Sequence, residues 1–384
     1  MMKKYDEAFA RLDELEAKYI NFWKEISEIE SPTLCKEGVD RVCAYIADKA
    51  RDRGWEVDVF PQEVAGNPIC VTMNPNAEGQ PICLSGHVDT VHPIGLFGDE
   101  VVTMDDTKMY GPGVTDCKGG VAAAFYAMEA LEDIGFDSRP IKLIIQTDEE
   151  VSSRISNKET VKYMARMAEG CEAFLNLESY VKGYITTARK GISRYRVEVT
   201  GVAAHSSLCY TGKSAIREAA HKIIEIEKIQ EKGGLTFSCG MIEGGTAENT
   251  VAEKCTFSVD VRFVDQQMMV DAEERLKHIV ETSYIGGTTA TLTLRSRRPA
   301  MELCDRNVEL CRKLNAAFAE AGLPELKQRT STGGSDAADM TCYGIPAIDS
   351  IGVEGGYIHS RREYGWLSSL KVSARYIAAA VCGM

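Results

Sequence analysis

The sequence has no pair of cysteines spaced as C-x-x-C, no apolar run that approaches ~20 residues, and no excess of basic residues. Its 13 cysteines are an odd number, which would leave a thiol unpaired in a secreted protein but is ordinary in a reducing cytosol. The lack of a long apolar run argues against a membrane-spanning helix. The first residues, MMKKYDEAFARLDELE, are charged and contain no apolar signal-peptide core. We therefore expect a soluble, cytoplasmic protein.

The charge balance is acidic. The chain has 44 basic and 57 acidic residues, which gives a net charge of 44 − 57 = −13. Nucleic acids and anionic membranes are bound by basic faces, so neither is expected as a partner. A small anionic substrate is not excluded, because a local cluster of arginines can bind an anion on an acidic protein.

The length of 384 residues and the pattern of apolar residues indicate two domains. Up to about residue 190, and again after residue 300, apolar strands alternate with amphipathic helices. This alternation predicts an α/β domain with helices on both faces of a central, mostly parallel sheet. Residues 191–299 combine strands of two-residue period with two helices, which predicts an antiparallel α+β layer. We therefore predict a catalytic domain formed by residues 1–190 and 300–384, with 191–299 inserted as a lid.

Polar residues that could hold a metal follow the predicted strands at widely separated positions. They are His87 and Asp89 in LSGHVDT, Asp116 in GPGVTDCKGG, Glu149 and Glu150 in IIQTDEEV, Glu178 in FLNLESY and His359 in GGYIHS. Two imidazoles with several carboxylates, and no required thiolate, suit zinc or a similar divalent ion. Each residue alone could be a turn residue or a solvated loop residue. Their joint placement at strand ends favours a metal site.

Several of these positions suggest particular roles. Residues two apart in a strand face the same side, so Asp89 could accept a proton from His87 and fix its tautomer. Glycines on both sides of Asp116 would let the main chain bend closely around an ion, which makes Asp116 a candidate bridge between two metals. Glu149 stands beside Glu150, so one carboxylate could face the metals while the other holds the water.

The run SGHVDTV, then GPGVTDCKGG, then TDEE, a glutamate after an apolar strand and a late glycine-flanked histidine resemble the co-catalytic zinc exopeptidases. That family includes glutamate carboxypeptidase, aminoacylase, acetylornithine and succinyl-diaminopimelate deacylases and the peptidase T tripeptidases. The likeness covers almost the whole chain, including the inserted domain. It implies two zinc ions as cofactors, with cobalt or manganese as alternatives.

The resemblance assigns the ligands residue by residue. His87 and Glu178 would bind one ion, Glu150 and His359 the other, and Asp116 both. It also assigns the general base to Glu149, and it places Asp89 behind the ligands as an orienting residue. The peptide bond between Asp116 and Cys117 would be cis, and we interpret the Cys117 thiol as a packing group.

The inserted domain forms the dimer interface in that family. His205 in GVAAHSS matches a histidine that reaches the partner's active site and polarises the scissile carbonyl. Asn249 and Arg262 match positions that hold the substrate carboxylate, which the planar fork of an arginine suits. Gly333, Gly334 and Ser335 could form an anion site at a helix start. A turn, a capped helix or a strand-edge charge is the alternative for each of these residues.

These likenesses imply a dinuclear zinc hydrolase that cleaves the amide bond of a small substrate with a free carboxylate, as a carboxypeptidase or a di- or tripeptidase. A deacylase of N-acyl amino acids would use the same metals, and the sequence does not reveal the acyl pocket, so this alternative stays open. A non-catalytic binding protein on the same fold would be expected to lack a ligand or the base, and none is missing. We expect a homodimer through the inserted domain, and we expect His92, His221 and His278 on surfaces or helix faces.

Overall fold

A computed structural model of the chain describes residues 2–384. The main chain packs into two compact units. The first contains the chain up to Thr187, together with Leu303–Thr330 and Ser335–Met384. The second contains Ala188–Glu302 and Ser331–Gly334. Each unit has its own cluster of buried apolar side chains, so the hydrophobic effect stabilises each of them around a separate core.

The helices and strands follow the periodicities of the sequence. The helices are α1 (Met2–Glu28), α2 (Lys36–Asp52), α3 (Gly119–Asp133), α4 (Glu159–Met167), α5 (Ala215–Glu227), α6 (Gln266–Glu281), α7 (Asp305–Glu320), α8 (Asp336–Cys342) and α9 (Leu367–Gly383). The strands are β1 (Glu56–Val59), β2 (Ile69–Met73), β3 (Ile82–His87), β4 (Thr103–Met104), β5 (Lys108–Tyr110), β6 (Ile141–Gln146), β7 (Ala173–Asn176), β8 (Tyr184–Arg189), β9 (Gly191–Thr200), β10 (Thr236–Gly244), β11 (Lys254–Phe263), β12 (Thr289–Arg298), β13 (Lys327–Ser331), β14 (Ala347–Ile348), β15 (Gly355–Gly356) and β16 (Tyr364–Trp366). Helices α5 and α6 belong to the second unit and the other helices to the first.

A six-stranded sheet forms the centre of the first unit, in the order β1-β2-β6-β3-β7-β14. Strands β6, β3, β7 and β14 are parallel to one another, and β2 and β1 add two antiparallel pairings at one edge. Leu84 and Leu175 belong to the large cluster of buried apolar side chains that also contains residues of α1, α3 and α9. Phe174, next to Leu175 in β7, is equally buried but lies outside that cluster. Since adjacent strand residues face opposite sides, both faces of the sheet are covered. The predicted α/β class is confirmed.

The topology brings three candidate ligand loops to one edge of this sheet. Strand β3 ends at His87, which pairs with Gln146 at the end of β6. On its other side β3 pairs with β7, which ends two residues before Glu178. Because the three strands are parallel neighbours, the segments that follow them start side by side.

A second, four-stranded sheet of the first unit has the order β15-β16-β5-β4, and the hairpin loop between β15 and β16 carries His359. The fully buried Trp23 of α1 supports the neighbouring segment, since its Nε1 donates to the carbonyl of Val114 at 2.9 Å. Trp23 lies on the apolar stripe that the helical spacing of α1 predicts, so this stripe serves both the core and the loop that contains Asp116.

The second unit is a four-stranded antiparallel sheet in the order β10-β11-β9-β12. Alternate residues of β9 and β11 are buried against α5 and α6, and the residues between them are more exposed. This is the one-sided burial expected for an antiparallel sheet with helices on one face. Strands β8 and β13 form a separate two-stranded ribbon.

The sequence predicts a strand over residues 346–351, but only Ala347 and Ile348 form β14, so this prediction is wrong in its extent. The strand stops where Ser350 adopts a left-handed conformation with φ of 67° and its amide donates to Asp349 Oδ1 at 2.5 Å. A positive φ at a residue other than glycine is incompatible with continued strand pairing. Within residues 2–384, no helix is both long enough and apolar enough to cross a membrane.

Candidate metal centre

The carboxylate of Asp116 lies between two imidazoles. His87 Nε2 is 3.1 Å from Asp116 Oδ1, and His359 Nε2 is 3.0 Å from Asp116 Oδ2. These three residues come from the end of β3, from the irregular turn Val114–Lys118 and from the β15–β16 hairpin. Residues separated by as many as 272 positions (359 − 87) therefore meet around one carboxylate.

Each imidazole also faces a second carboxylate. His359 Nε2 lies 3.0 Å from Glu150 Oε2, and His87 Nε2 lies 3.7 Å from Glu178 Oε1. Single ligand atoms of His87, Asp116 and Glu150 all fall within 4.8 Å of one another. Imidazole nitrogens and carboxylate oxygens at such distances match the donor set of zinc and related divalent ions. The residues around Asp116 therefore offer suitable ligands for a divalent metal ion.

Cys117 belongs to a further group of candidate ligands, with His87 and Glu178. Its Sγ accepts the main-chain N–H of His87 at 3.0 Å, and burial raises the pKa of the thiol to about 12. Without a metal, burial therefore favours the neutral thiol, and a metal ion bound there would have to displace its proton. The Asp116–Cys117 peptide bond is cis, which confirms that expectation.

Asp89 connects two of the ligand loops and is completely buried. Its Oδ1 accepts the N–H of Glu149 at 3.1 Å, and its Oδ2 accepts the N–H of Glu150 at 3.2 Å and the hydroxyl of Thr33 at 2.8 Å. The Nδ1 of His87 lies 3.0 Å from the Asp89 carbonyl and 3.4 Å from Oδ1. Such contacts fix the His87 ring with Nε2 directed at the carboxylates. Glu149 is itself buried, at the start of the short helical turn Glu149–Val151.

The sequence analysis missed Glu363, a fully buried carboxylate behind the Asp116 turn. Glu363 Oε1 accepts the main-chain N–H groups of Thr115 at 2.9 Å and Asp116 at 3.1 Å. Its Oε2 lies 2.9 Å from His92 Nε2 and accepts the N–H of Gly113 at 3.4 Å. A charged acceptor bound to three amides of one turn holds that turn in a single shape. Glu363 therefore positions the main chain that carries Asp116.

The expectation that His92 lies on the surface is wrong, because it is 4% exposed and contacts Glu363. The two residues are 271 positions apart, so no local pattern could reveal the pair. The only feature of the sequence that could have drawn attention to Glu363 was its position, four residues after His359. His221 and His278 are exposed on α5 and α6, as expected.

The imidazoles and carboxylates of the centre shift one another's pKa values. Hydrogen bonds to Asp116 and Glu150 raise the pKa of His359 to about 11. Burial would raise the pKa of Asp116, but its hydrogen bonds with His359 and His87 lower it well below the ordinary value. Burial raises the pKa of Glu150 to about 7, against the opposing effect of His359. A metal ion binds neutral imidazole and ionised carboxylate. It must therefore displace the protons that His359 and Glu150 retain because their pKa values are raised.

Two predicted residues lie together in the second unit. His205 is exposed, and its Nδ1 accepts the N–H of Ser207 at 3.2 Å at the start of a short helical turn. The carbonyl of Asn249 accepts the N–H of Ser206 at 2.9 Å, so the exposed Asn249 is adjacent to the His205 segment.

Arg262 and the glycine turn are also neighbours in the second unit. Arg262 Nε donates to Asp260 at 2.6 Å, and Nη1 donates to the carbonyl of Thr332 at 3.2 Å. The carbonyl of the next residue, Gly333, accepts from Arg189 Nη1 at 3.2 Å, and Gly334 lies against the side chain of Arg298. Ser335 is buried in the first unit, where its hydroxyl donates to Asp349.

Comparison with known proteins gives a match to the family described as peptidase family M20/M25/M40, over residues 83–382. Carboxypeptidase G2 from a Pseudomonas species is 25% identical over 355 residues, which cover 90% of this chain and 84% of that protein. Succinyl-diaminopimelate desuccinylase from Corynebacterium glutamicum is 25% identical over 73% of this chain and 75% of its own. The crystal structure of aminopeptidase PepT from Bacillus cereus aligns with a TM-score of 0.78 and 23% identity, and covers 95% of this chain and 98% of that one. This last likeness shows the fold.

We expect Glu363→Gln to weaken metal binding by about 10- to 100-fold, which is the usual effect of losing a partner behind the ligands. The substitution places an N–H₂ group among N–H donors, so the Asp116 turn loses part of its anchor. Competition with a chromogenic chelator for cobalt or zinc measures the affinity directly. Glu129→Gln is the matched control, because Glu129 is a buried carboxylate bound to Lys18 and Tyr19 of α1, outside the centre. Equal metal affinity of Glu363→Gln and the unmodified protein would contradict the positioning role.

Proposed function

Because the chain belongs to the peptidase family M20/M25/M40, we propose that it is a dinuclear zinc hydrolase that cleaves the amide bond of a small substrate with a free carboxylate. Membership makes it a metal-dependent peptidase or amidohydrolase. The observation that carries the finer proposal is the position of Asp116, which faces His87 and His359 with its two oxygens. A carboxylate shared in this way suits two ions rather than one.

His87, Asp116 and Glu178 would hold one ion, and Asp116, Glu150 and His359 would hold the other. The bound ions would lower the pKa of a water molecule and polarise the scissile carbonyl. Asp89 supports both halves of this ligand set, since it contacts His87 and the amides of Glu149 and Glu150. Cobalt or manganese would suit the same oxygen and nitrogen donors.

We assign the proton transfers to Glu149. Its carboxylate would accept a proton from water while the water oxygen bonds to the carbonyl carbon. Glu149 would then return this proton to the amide nitrogen, and the C–N bond would break. One water molecule and one amide thus give one carboxylic acid and one amine, with no other reactant. The burial of Glu149 supports the assignment, because a buried base loses its proton to bulk water less readily.

We assign recognition of the substrate carboxylate to the second unit. Arg262 is partly exposed although its guanidinium contacts Asp260 and Thr332, and a guanidinium can bind two carboxylate oxygens at once. Asn249 is exposed and can donate through its side-chain amide. The glycine turn of Gly333 and Gly334 offers main-chain N–H groups, with Ser335 after them.

We further propose that the protein is a homodimer through residues 191–299, in which His205 acts on the active site of the partner. His205 is exposed and has no carboxylate partner among residues 2–384, which is consistent with such a role. For the location, we propose the cytoplasm. Its support is that all 13 cysteines are free thiols, which is ordinary in a reducing compartment.

A deacylase activity on N-acyl amino acids is the second candidate, and it is favoured by the similarity to the desuccinylase of Corynebacterium glutamicum. Both activities break an amide at the same centre and differ in the acyl group. Metal-loaded protein assayed against dipeptides, tripeptides and N-acyl amino acids distinguishes them, since a deacylase leaves peptides with a free N-terminus uncut.

We expect Glu149→Gln to lower kcat by about 10²- to 10⁴-fold, because the amide cannot accept the proton of water. Metal content measured by atomic emission should remain unchanged, since Glu149 is assigned to proton transfer and not to coordination. Glu63→Gln, at an exposed position of the same unit, is the control for the loss of one negative charge. A metal-loaded Glu149→Gln protein with full turnover would exclude Glu149 as the base.

Mixed dimers test the role of His205. His205→Ala and Glu149→Gln proteins with different tags are combined, and the mixed dimers are purified through both tags. If His205 acts on the partner's site, one of the two sites in each mixed dimer is complete, so about half of the normal activity returns. A His205 that acts within its own chain predicts no recovery. Sedimentation as a monomer at assay concentration would remove the proposal altogether.

A further inference from the structure

A cavity of about 590 Å³ lies on the small sheet formed by β4, β5, β15 and β16. It is lined by the three cationic residues Lys108, Arg361 and Arg362, and by a single acidic residue, Glu100. The cavity is formed entirely within the first unit. On a chain with a net charge of −13, this local excess of positive charge marks a place where an anion would be bound.

The three cations are not neutralised by the protein. Across the described residues 2–384, no carboxylate forms an ion pair with Lys108, Arg361 or Arg362. Arg361 and Arg362 are exposed, so their guanidinium donors remain accessible to a ligand. A ligand that carries negative charge would supply the partners that these groups lack.

Aromatic rings give the cavity a second chemical character. Lys108 Nζ lies 4.2 Å from the ring centre of Tyr364 and 4.3 Å from that of Trp366. The guanidinium of Arg362 lies 4.2 Å from the ring centre of Tyr357, which is 56% exposed. Cation–π contacts hold these cations beside the rings and leave their donors free. Rings and guanidinium planes together favour a flat ligand, which can stack on them.

The cavity shares a loop with the candidate metal centre. Residues 357–363 connect β15 to β16, and within this loop His359 contacts Asp116 and Glu150. Tyr357 and Arg361, each two residues from His359, line the cavity. Two residues span at most roughly 7 Å of chain, so the main chain of both cavity residues lies within that distance of His359.

We propose that this cavity binds the acyl part of the substrate, and that the preferred acyl group is planar and negatively charged, such as a carboxy-substituted benzoyl group. The inference rests on the proposed function, in which the amine part of the substrate carries the carboxylate held by the second unit. The acyl part must then lie on the other side of the scissile amide. The arginines bind the charge of the acyl group, and the tyrosines stack on its ring.

Four substrates with the same amine part distinguish the effect of a negative charge on the acyl group from the effect of an aromatic ring. N-(4-carboxybenzoyl)-glutamate has both features, N-benzoyl-glutamate has the ring, N-succinyl-glutamate has the charge, and N-acetyl-glutamate has neither. We expect kcat/KM to be highest for the carboxybenzoyl compound and lowest for the acetyl compound. Equal values for all four would overturn the proposal.

The double variant Arg361→Gln, Arg362→Gln should lower kcat/KM about tenfold or more for the two charged acyl groups, and much less for the two neutral ones. The double variant Arg51→Gln, Arg312→Gln is the control, since both residues are exposed on α2 and α7 and the same charge is lost. Tyr357→Ala should act mainly on the two substrates with a ring. A uniform loss on all four substrates would mean that the arginines have no role in acyl selection.

A binding measurement keeps this proposal separate from hydrolysis. Titration calorimetry with terephthalate as the probe should show binding to the metal-free protein, and that binding should weaken about tenfold or more in the Arg361→Gln, Arg362→Gln variant. If no amide is cleaved but terephthalate binds in this way, the proposed function fails and the cavity assignment holds. If hydrolysis is found but terephthalate does not bind, the cavity assignment is the part that fails.

Discussion

The shared carboxylate of Asp116 is the contact on which the candidate centre depends. Its two oxygens face His87 and His359 at 3.1 and 3.0 Å, and Glu178 and Glu150 approach the same imidazoles from outside. Three carboxylates against two imidazoles leave an excess of negative charge in a largely buried place, which is costly without cations. Divalent ions would offset this charge, so the composition of the centre and its proposed chemistry have the same physical origin.

The fold positions the candidate ligands in two ways. Neighbouring parallel strands β6, β3 and β7 deliver the segments with Glu150, His87 and Glu178 to one edge of the sheet. Asp116 and His359 instead come from irregular loops, and there buried polar contacts replace strand pairing. Glu363 holds the Asp116 turn from the hairpin that also carries His359, so one hairpin supports two of the candidate ligands. The same hairpin presents Arg361 and Arg362 to the cationic cavity, so the seven residues 357–363 serve both the cavity and the candidate metal centre.

Local patterns predicted much of this arrangement and failed where long-range contacts decide. The apolar runs before His87, Glu149 and Glu178 predicted strands that end at polar residues, and the helical stripe of α1 predicted a buried face. A local apolar pattern predicts that β3 and β6 are strands, but it cannot reveal which strands pair with each other. That pairing sets the register of β3 with β6. His92 gave no signal of burial, because its partner Glu363 is 271 positions away. The early end of β14 depends on the conformation of Ser350, which composition does not show. The cavity is made of residues from three separate segments, and only the tertiary structure brings their charges together.

Anomalous diffraction at the zinc absorption edge, on crystals of the zinc-loaded protein, tests the central claim most directly. Two peaks in contact with Asp116 are expected, one also bound by His87 and Glu178 and the other by Glu150 and His359, at the ~3.5–4 Å separation of two-metal sites. A single peak, or zinc bound through Cys117 without Asp116, would contradict the account.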